Sequence, residues 1–97
     1  MDIDDKTVLE RATSPPELSV SEDETVLLDI DGGHYFTLMG KVSVRIWQML
    51  ADPQSTKALV DGLVEEFEVD RERCRDETRR FLGLLVARRL IRPVAQI

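Results

Sequence analysis

Apolar residues recur along this chain with two different periods. From Leu18 to Met39 they sit in short runs separated by polar turns, whereas from Val42 to Leu90 they return every three or four residues. The first pattern predicts strands and the second helices. LSVS at residues 18–21 alternates as a short strand, and Ser21-Glu22-Asp23-Glu24 is a polar turn. VLLDI at 26–30 reads as a second strand, Asp31-Gly32-Gly33 as a hairpin turn, and His34 to Met39 as a third strand without proline or formal charge. Upstream, Pro15 and Pro16 stop any helix begun near Val8 to Ala12. Residues 1–17 are therefore expected to be a mobile N-terminal segment, and 18–93 a single domain.

The hairpin loop decides which side chains share a face. A two-residue loop sets Val26, Leu28 and Ile30 on the face of Tyr35, Thr37 and Met39. A three-residue loop, 31–33, sets them with Phe36 and Leu38 and leaves Asp29, Tyr35 and Thr37 outside. The second choice makes one face wholly apolar. It is the expected register, with a glycine as the left-handed bulge residue.

Gly40 breaks the third strand. A helix over residues 42–51 follows, with Val42, Ile46, Met49 and Leu50 facing inward and Trp47 flanking them, and Asp52-Pro53 ends it. A second helix starts at Gln54 or Ser55 and spaces Leu59, Val60, Leu63, Val64 and Phe67 along one side. Lys57, Asp61 and Glu65 form its charged face. Asp70 is a suitable cap for a third helix over 71–90. There Cys74, Thr78, Phe81 and Leu85 form one stripe, and Leu82, Val86 and Leu90 widen it on the side from which Arg75 and Arg79 project.

A three-stranded antiparallel meander followed by three helices gives an α+β fold of winged-helix-like arrangement. In strand order, residues 34–39 lie at a sheet edge, and natural proteins normally blunt such an edge with lysine, proline or a bulge. This edge has either a partner strand to receive or a cover, from the N-terminal segment or a second copy. As a docking strip it would offer backbone hydrogen bonds, with the surplus apolar arc of the third helix lining the groove.

Ninety-seven residues suffice for one core and leave little room for a deep catalytic pocket. The net charge is −6, unevenly distributed. The first fifty residues carry ten acids and four bases; the remainder carries nine of each, with seven arginines between Arg71 and Arg89. Those arginines alternate with Glu72, Asp76 and Glu77, the pattern of a helix surface laced with ion pairs, and alternatively a site for an acidic segment. An acidic winged-helix regulator that binds DNA or a protein partner is the rival function, although pI near 4.7 lacks the basic footprint that phosphate neutralisation needs.

The lone Cys74 supports neither a disulfide nor a metal site, and the lone His34 no metal cluster, so no cofactor is expected. Asp29 and Asp31 read as turn and surface residues, and His34 has no serine or cysteine partner at motif spacing. The glycines lack the context of a phosphate loop. With no apolar N-terminal run and no membrane-length apolar stretch, the expected location is cytoplasmic, with neither membrane nor nucleic acid as partner.

VLLDIDGGHYFTL, then IWQML, LVDGLVEEFEVD and FLGLLVARRLI, resemble the PqqD-like family from about Leu18 to Pro93. These are leader-peptide recognition elements of pathways that make and modify ribosomal peptides (RiPPs). Leu28-Asp29 and Gly33-His34-Tyr35 look most like the stand-alone recognition proteins of lasso-peptide clusters. One departure is Met39, where the family often has asparagine, and it bears on the cap of the following helix. The resemblance implies a winged-helix-like fold that performs no chemistry and acts as an adaptor. A precursor leader would add as a fourth strand along His34, Tyr35, Phe36, Thr37, Leu38 and Met39, in a groove against the third helix. Leu82 and Val86 are its expected apolar side, Thr78 is a further expected peptide-binding residue, and Arg75 and Arg79 are expected to meet leader acids. The implied partners are the precursor peptide, a leader peptidase of the transglutaminase-like cysteine protease type, and a lasso cyclase.

Overall fold

The protein is described here from a computed structural model, covering residues 3–12, 15–29 and 33–94. Its elements run β1 Val8–Arg11, β2 Glu17–Ser21, β3 Glu24–Asp29, β4 His34–Met39, α1 Lys41–Met49, β5 Gln54–Ser55, α2 Thr56–Phe67, α3 Arg71–Ala87 and β6 Ile91–Pro93. Strands β2, β3 and β4 form the expected antiparallel meander, and the α+β class holds.

A second sheet, ordered β5-β1-β6, was not anticipated. Residues 8–11, assigned from the sequence to a mobile segment, form its central strand, and Ile3 and Leu9 are buried in the core. The four-residue VLER run shows too little periodicity to announce a strand. Its partners are brought to it from residues 54–55 and 91–93 only by the fold. Pro93 sits on an edge strand opposite Leu9, while the flanking Ala12 and Val94 N–H groups donate across to Leu90 and Val8. The position that lacks a donor therefore has no bond to lose.

The hairpin register differs from the expected one. Leu27 pairs with Phe36, Thr25 with Leu38, Val26 with Thr37 and Leu28 with Tyr35. Leu27 and Leu38 are buried, whereas Leu28, Tyr35 and Met39 are exposed on the other face. The run VLL is apolar at both parities, so burial of its middle residue satisfies the core as well as burial of its flanks. The turn residues Asp31 and Gly32 lie outside the described residues. Gly33 does have the left-handed backbone, φ 68°.

Helix α1 buries Val44, Ile46 and Trp47, with Leu50 just beyond its end. Val42, expected inside, is over a third exposed, and Trp47, expected at the flank, is fully enclosed. Gly40, the residue before it, provides no side-chain cap. Helix α2 begins as Ser55 Oγ accepts from the Ala58 N–H at 3.0 Å, and α3 as Asp70 accepts from the Arg73 N–H at 3.0 Å. The α3 helix stops three residues short of the expected Leu90. Arg89 takes the left-handed conformation, φ 60°, and the Arg89 and Leu90 N–H groups bond back to Val86 and Leu85. This paired closure usually recruits glycine, so an arginine there leaves no stop signal in the sequence.

Candidate functional site

Strand β4 pairs with β3 along one side, and its other side is open among the described residues. The N-terminal segment does not cover it, because β1 is engaged between β5 and β6 and β2 lies across β3. The sheet's other edge, β2, is interrupted by a register shift between Ser19 and Ser21 and carries Glu17, which are features that discourage pairing. Strand β4 is regular from His34 to Met39 and has neither.

The direction of each β4 backbone group follows from two bonds. The Gly40 N–H donates to the Asp23 carbonyl at 2.7 Å, so this pair bonds inward across the β3–β4 ladder. Antiparallel ladders alternate bonded and non-bonded pairs. Leu38, Phe36 and His34 therefore also bond to β3, while Met39, Thr37 and Tyr35 direct their N–H and C=O groups to the open edge. The Leu28 N–H donates away from β4, to the Pro16 carbonyl at 2.9 Å, as the same alternation requires. The open edge thus offers three donors and three acceptors. The side chains alternate with them: Phe36 and Leu38 point to the core, and Tyr35, 71% exposed, and Met39, 65% exposed, stand on the outer face.

Helix α3 runs antiparallel to the line that continues from β4 into α1. The Arg88 guanidinium lies 5.6 Å from the Phe36 ring centre, within cation–π range, and eleven residues earlier Glu77 lines a cavity with Val42 and Ser43 of α1. Ile46, Cys74, Thr78 and Phe81 complete that cavity of about 130 Å³. At about 100° per residue, Glu77, Phe81, Leu84 and Arg88 fall on one flank of α3, toward β4 and α1.

The α3 residues expected at the groove lie elsewhere. Arg75, Arg79 and Val86 fall on the opposite flank, and Arg79 Nε donates to the Ile3 carbonyl at 2.6 Å. Leu82 is fully buried and Val86 packs on the core, so neither is surplus. Thr78 is 2% exposed and lines the cavity. The difference from the expected placement is one of side. The apolar arc widened by Leu82 and Val86 is filled by the second sheet's core, which no local signal announced. Glu77, Phe81, Leu84 and Arg88 recur at i, i+4, i+7 and i+11, a spacing present in the sequence, but Phe81 read there as part of the inward stripe with Cys74, Thr78 and Leu85.

Asp61, held by Lys57 at 2.9 Å and Arg71 at 2.6 Å, has its carboxyl pulled below the ordinary range, first by the Lys57 bond and then by Arg71. A bond from the Thr7 hydroxyl, helped by the Lys6 N–H, lowers Asp4. Both groups lie outside the groove, Asp4 exposed and Asp61 partly so. His34 is exposed, and Cys74 is buried with its Sγ 3.8 Å from the Thr78 hydroxyl. Among the described residues no three His, Cys, Asp or Glu side chains converge as a metal site, and no helix is long and apolar enough to cross a membrane.

Residues 24–91 match the family described as Coenzyme PQQ synthesis protein D (PqqD). The chain belongs to this family. The match includes β3, β4 and all three helices and omits β1 and β2. Among solved structures, the chain is similar to "TbiB1 in Complex with the TbiA(beta) Leader Peptide", at 30% sequence identity and a TM-score of 0.69, over 99% of this chain and 100% of that one. None of the curated proteins compared matches it. The likeness to that structure thus extends beyond the family match, over 99% of this PqqD-family chain.

Proposed function

We propose that the protein is a non-catalytic adaptor that binds the leader of a ribosomal precursor peptide as a fourth strand on β4. The observation that carries this reading is the regular, uncharged β4 edge, with Tyr35, Thr37 and Met39 presenting unpaired backbone groups beside the α3 flank. Three donor–acceptor pairs suit an extended peptide of about six residues, and the cavity by Val42 and Phe81 suits an apolar side chain. The likeness to a protein solved with a leader peptide supports the ligand class. Within this reading the bound precursor is presented, in the cytoplasm, to a leader peptidase of the transglutaminase-like cysteine protease type and then to a lasso cyclase.

The test is a fluorescence-anisotropy titration with a labelled synthetic leader from any short precursor frame found beside this gene, set against a labelled DNA duplex. Saturable binding of leader and none of DNA is expected. Saturable binding of duplex without leader would replace this reading with that of an acidic regulator.

A further inference from the structure

Among the described residues, Arg11, Arg45, Lys57, Arg71, Arg73 and Arg92 make ion pairs. Among the described residues Arg88 makes no ion pair. It lies over Phe36 at the end of the β4 groove. At the opposite end of the α3 flank Glu77 is neutralised by Arg73 at 3.0 Å. Between them Leu84 is 45% exposed and Phe81 lines the apolar cavity. The groove is thus cationic at one end, apolar in the middle and electrically balanced at the other, on a protein of net charge −6.

The spacing along this flank matches an extended peptide. Helix residues four apart are separated by about 6 Å along the axis. Residues two apart on one face of a strand are separated by about 6.6 Å. Arg88 to Leu84 is one such step, and Arg88 to Phe81, about 10.5 Å along the helix, falls within side-chain reach of the next. We infer that the groove selects peptides in which an acidic residue and two apolar residues alternate with single intervening positions, the acid on Arg88 and the apolar pair on Leu84 and the Phe81–Val42 cavity. This inference rests on strand addition at β4 and specifies the sequence chemistry that the site reads.

A library of random twelve-residue peptides, selected on the immobilised full chain by mRNA display, tests it. Enriched sequences should carry Asp or Glu two and four positions from apolar residues. Against Arg88→Gln, a single enriched peptide should bind about two- to fivefold more weakly at low salt, and the deficit should shrink at high salt, as for an exposed ion pair. Arg88→Glu should enrich Lys or Arg at the same position, and its unchanged melting temperature should confirm that the fold persists. Enriched peptides that depend on β4, being lost with Thr37→Pro, but show no charge preference at that position would overturn the inference and spare strand addition. Peptides bound equally by Thr37→Pro, or no enrichment at all, would overturn strand addition and this inference with it.

Discussion

Proline substitution separates the two sides of β4 residue by residue. The Phe36 N–H lies in a pair bonded to β3, opposite Leu27, whereas the Thr37 N–H faces the open edge. Phe36→Pro removes a bond of the sheet, about 0.5–1.5 kcal/mol, and sets a ring against Leu27. It also removes an aromatic side chain packed on the core, worth roughly 3–5 kcal/mol. Together these approach the whole stability of a small domain, roughly 5–15 kcal/mol. Phe36→Ala serves as the control that isolates the side-chain share. Thr37→Pro deletes a donor that has no partner in the free protein, and an edge strand tolerates proline there, so its stability should stay within about 1 kcal/mol of the parent. Urea unfolding read by the emission of the single tryptophan, Trp47, which is 1% exposed when folded, measures both. Leader anisotropy then measures the edge. Thr37→Pro loses one intermolecular bond, about 0.5–1.5 kcal/mol or two- to twelvefold, plus a steric clash with the incoming strand. A folded Thr37→Pro that binds leader like the parent would refute strand addition at β4. An unfolded Thr37→Pro beside a stable Phe36→Pro would show that the hydrogen-bond phase assigned from Gly40 and Leu28 is inverted.

Arg79→Ala should lower the thermal midpoint, by the roughly 0.5–1.5 kcal/mol of its bond to the Ile3 carbonyl, and leave leader affinity unchanged; a salt-sensitive loss of affinity would return Arg79 to the groove. Gly83→Ala should stabilise by about 0.4–1 kcal/mol, a rise of a few degrees in calorimetry, because Gly83 is inside α3 and an added Cβ meets nothing within 4 Å. Asp61 has a folded-state pKa below its ordinary value, so its pairing with Lys57 and Arg71 stabilises above the usual carboxylate range and is lost as pH falls through the lowered value. Asp61→Asn should therefore melt below the parent at pH 7, and the gap should narrow and close as pH falls through that lowered value; a gap that persists once the carboxyl is protonated in both the folded and unfolded forms would mean that packing, not charge, is the cause.

The elements that carry strong local periodicity were legible. The meander, its uncharged third strand and three helices follow from alternation, Gly40 and the caps Ser55 and Asp70, because each signal involves residues within a few positions of one another. The family could be read for the same reason, since β3 through α3 hold the residues that resemble it.

What failed was everything decided by the opposite surface. VLL at 26–28 is apolar at both parities, and only the helices packed beneath the sheet choose Leu27 for burial over Leu28. Leu82 and Val86 looked like surplus on α3 because the sheet formed by residues 8–11, 54–55 and 91–93 assembles over sequence distances no local pattern spans. Strand pairing binds backbone to backbone and leaves no side-chain code for its partner. The sequence by itself therefore determined that β4 would be a bare, uncharged strand at the end of a meander. Only the tertiary structure decided that Tyr35, Thr37 and Met39 turn their backbone groups outward, and that the flank of α3 beside them is the one carrying Phe81, Leu84 and Arg88 rather than Arg75 and Arg79.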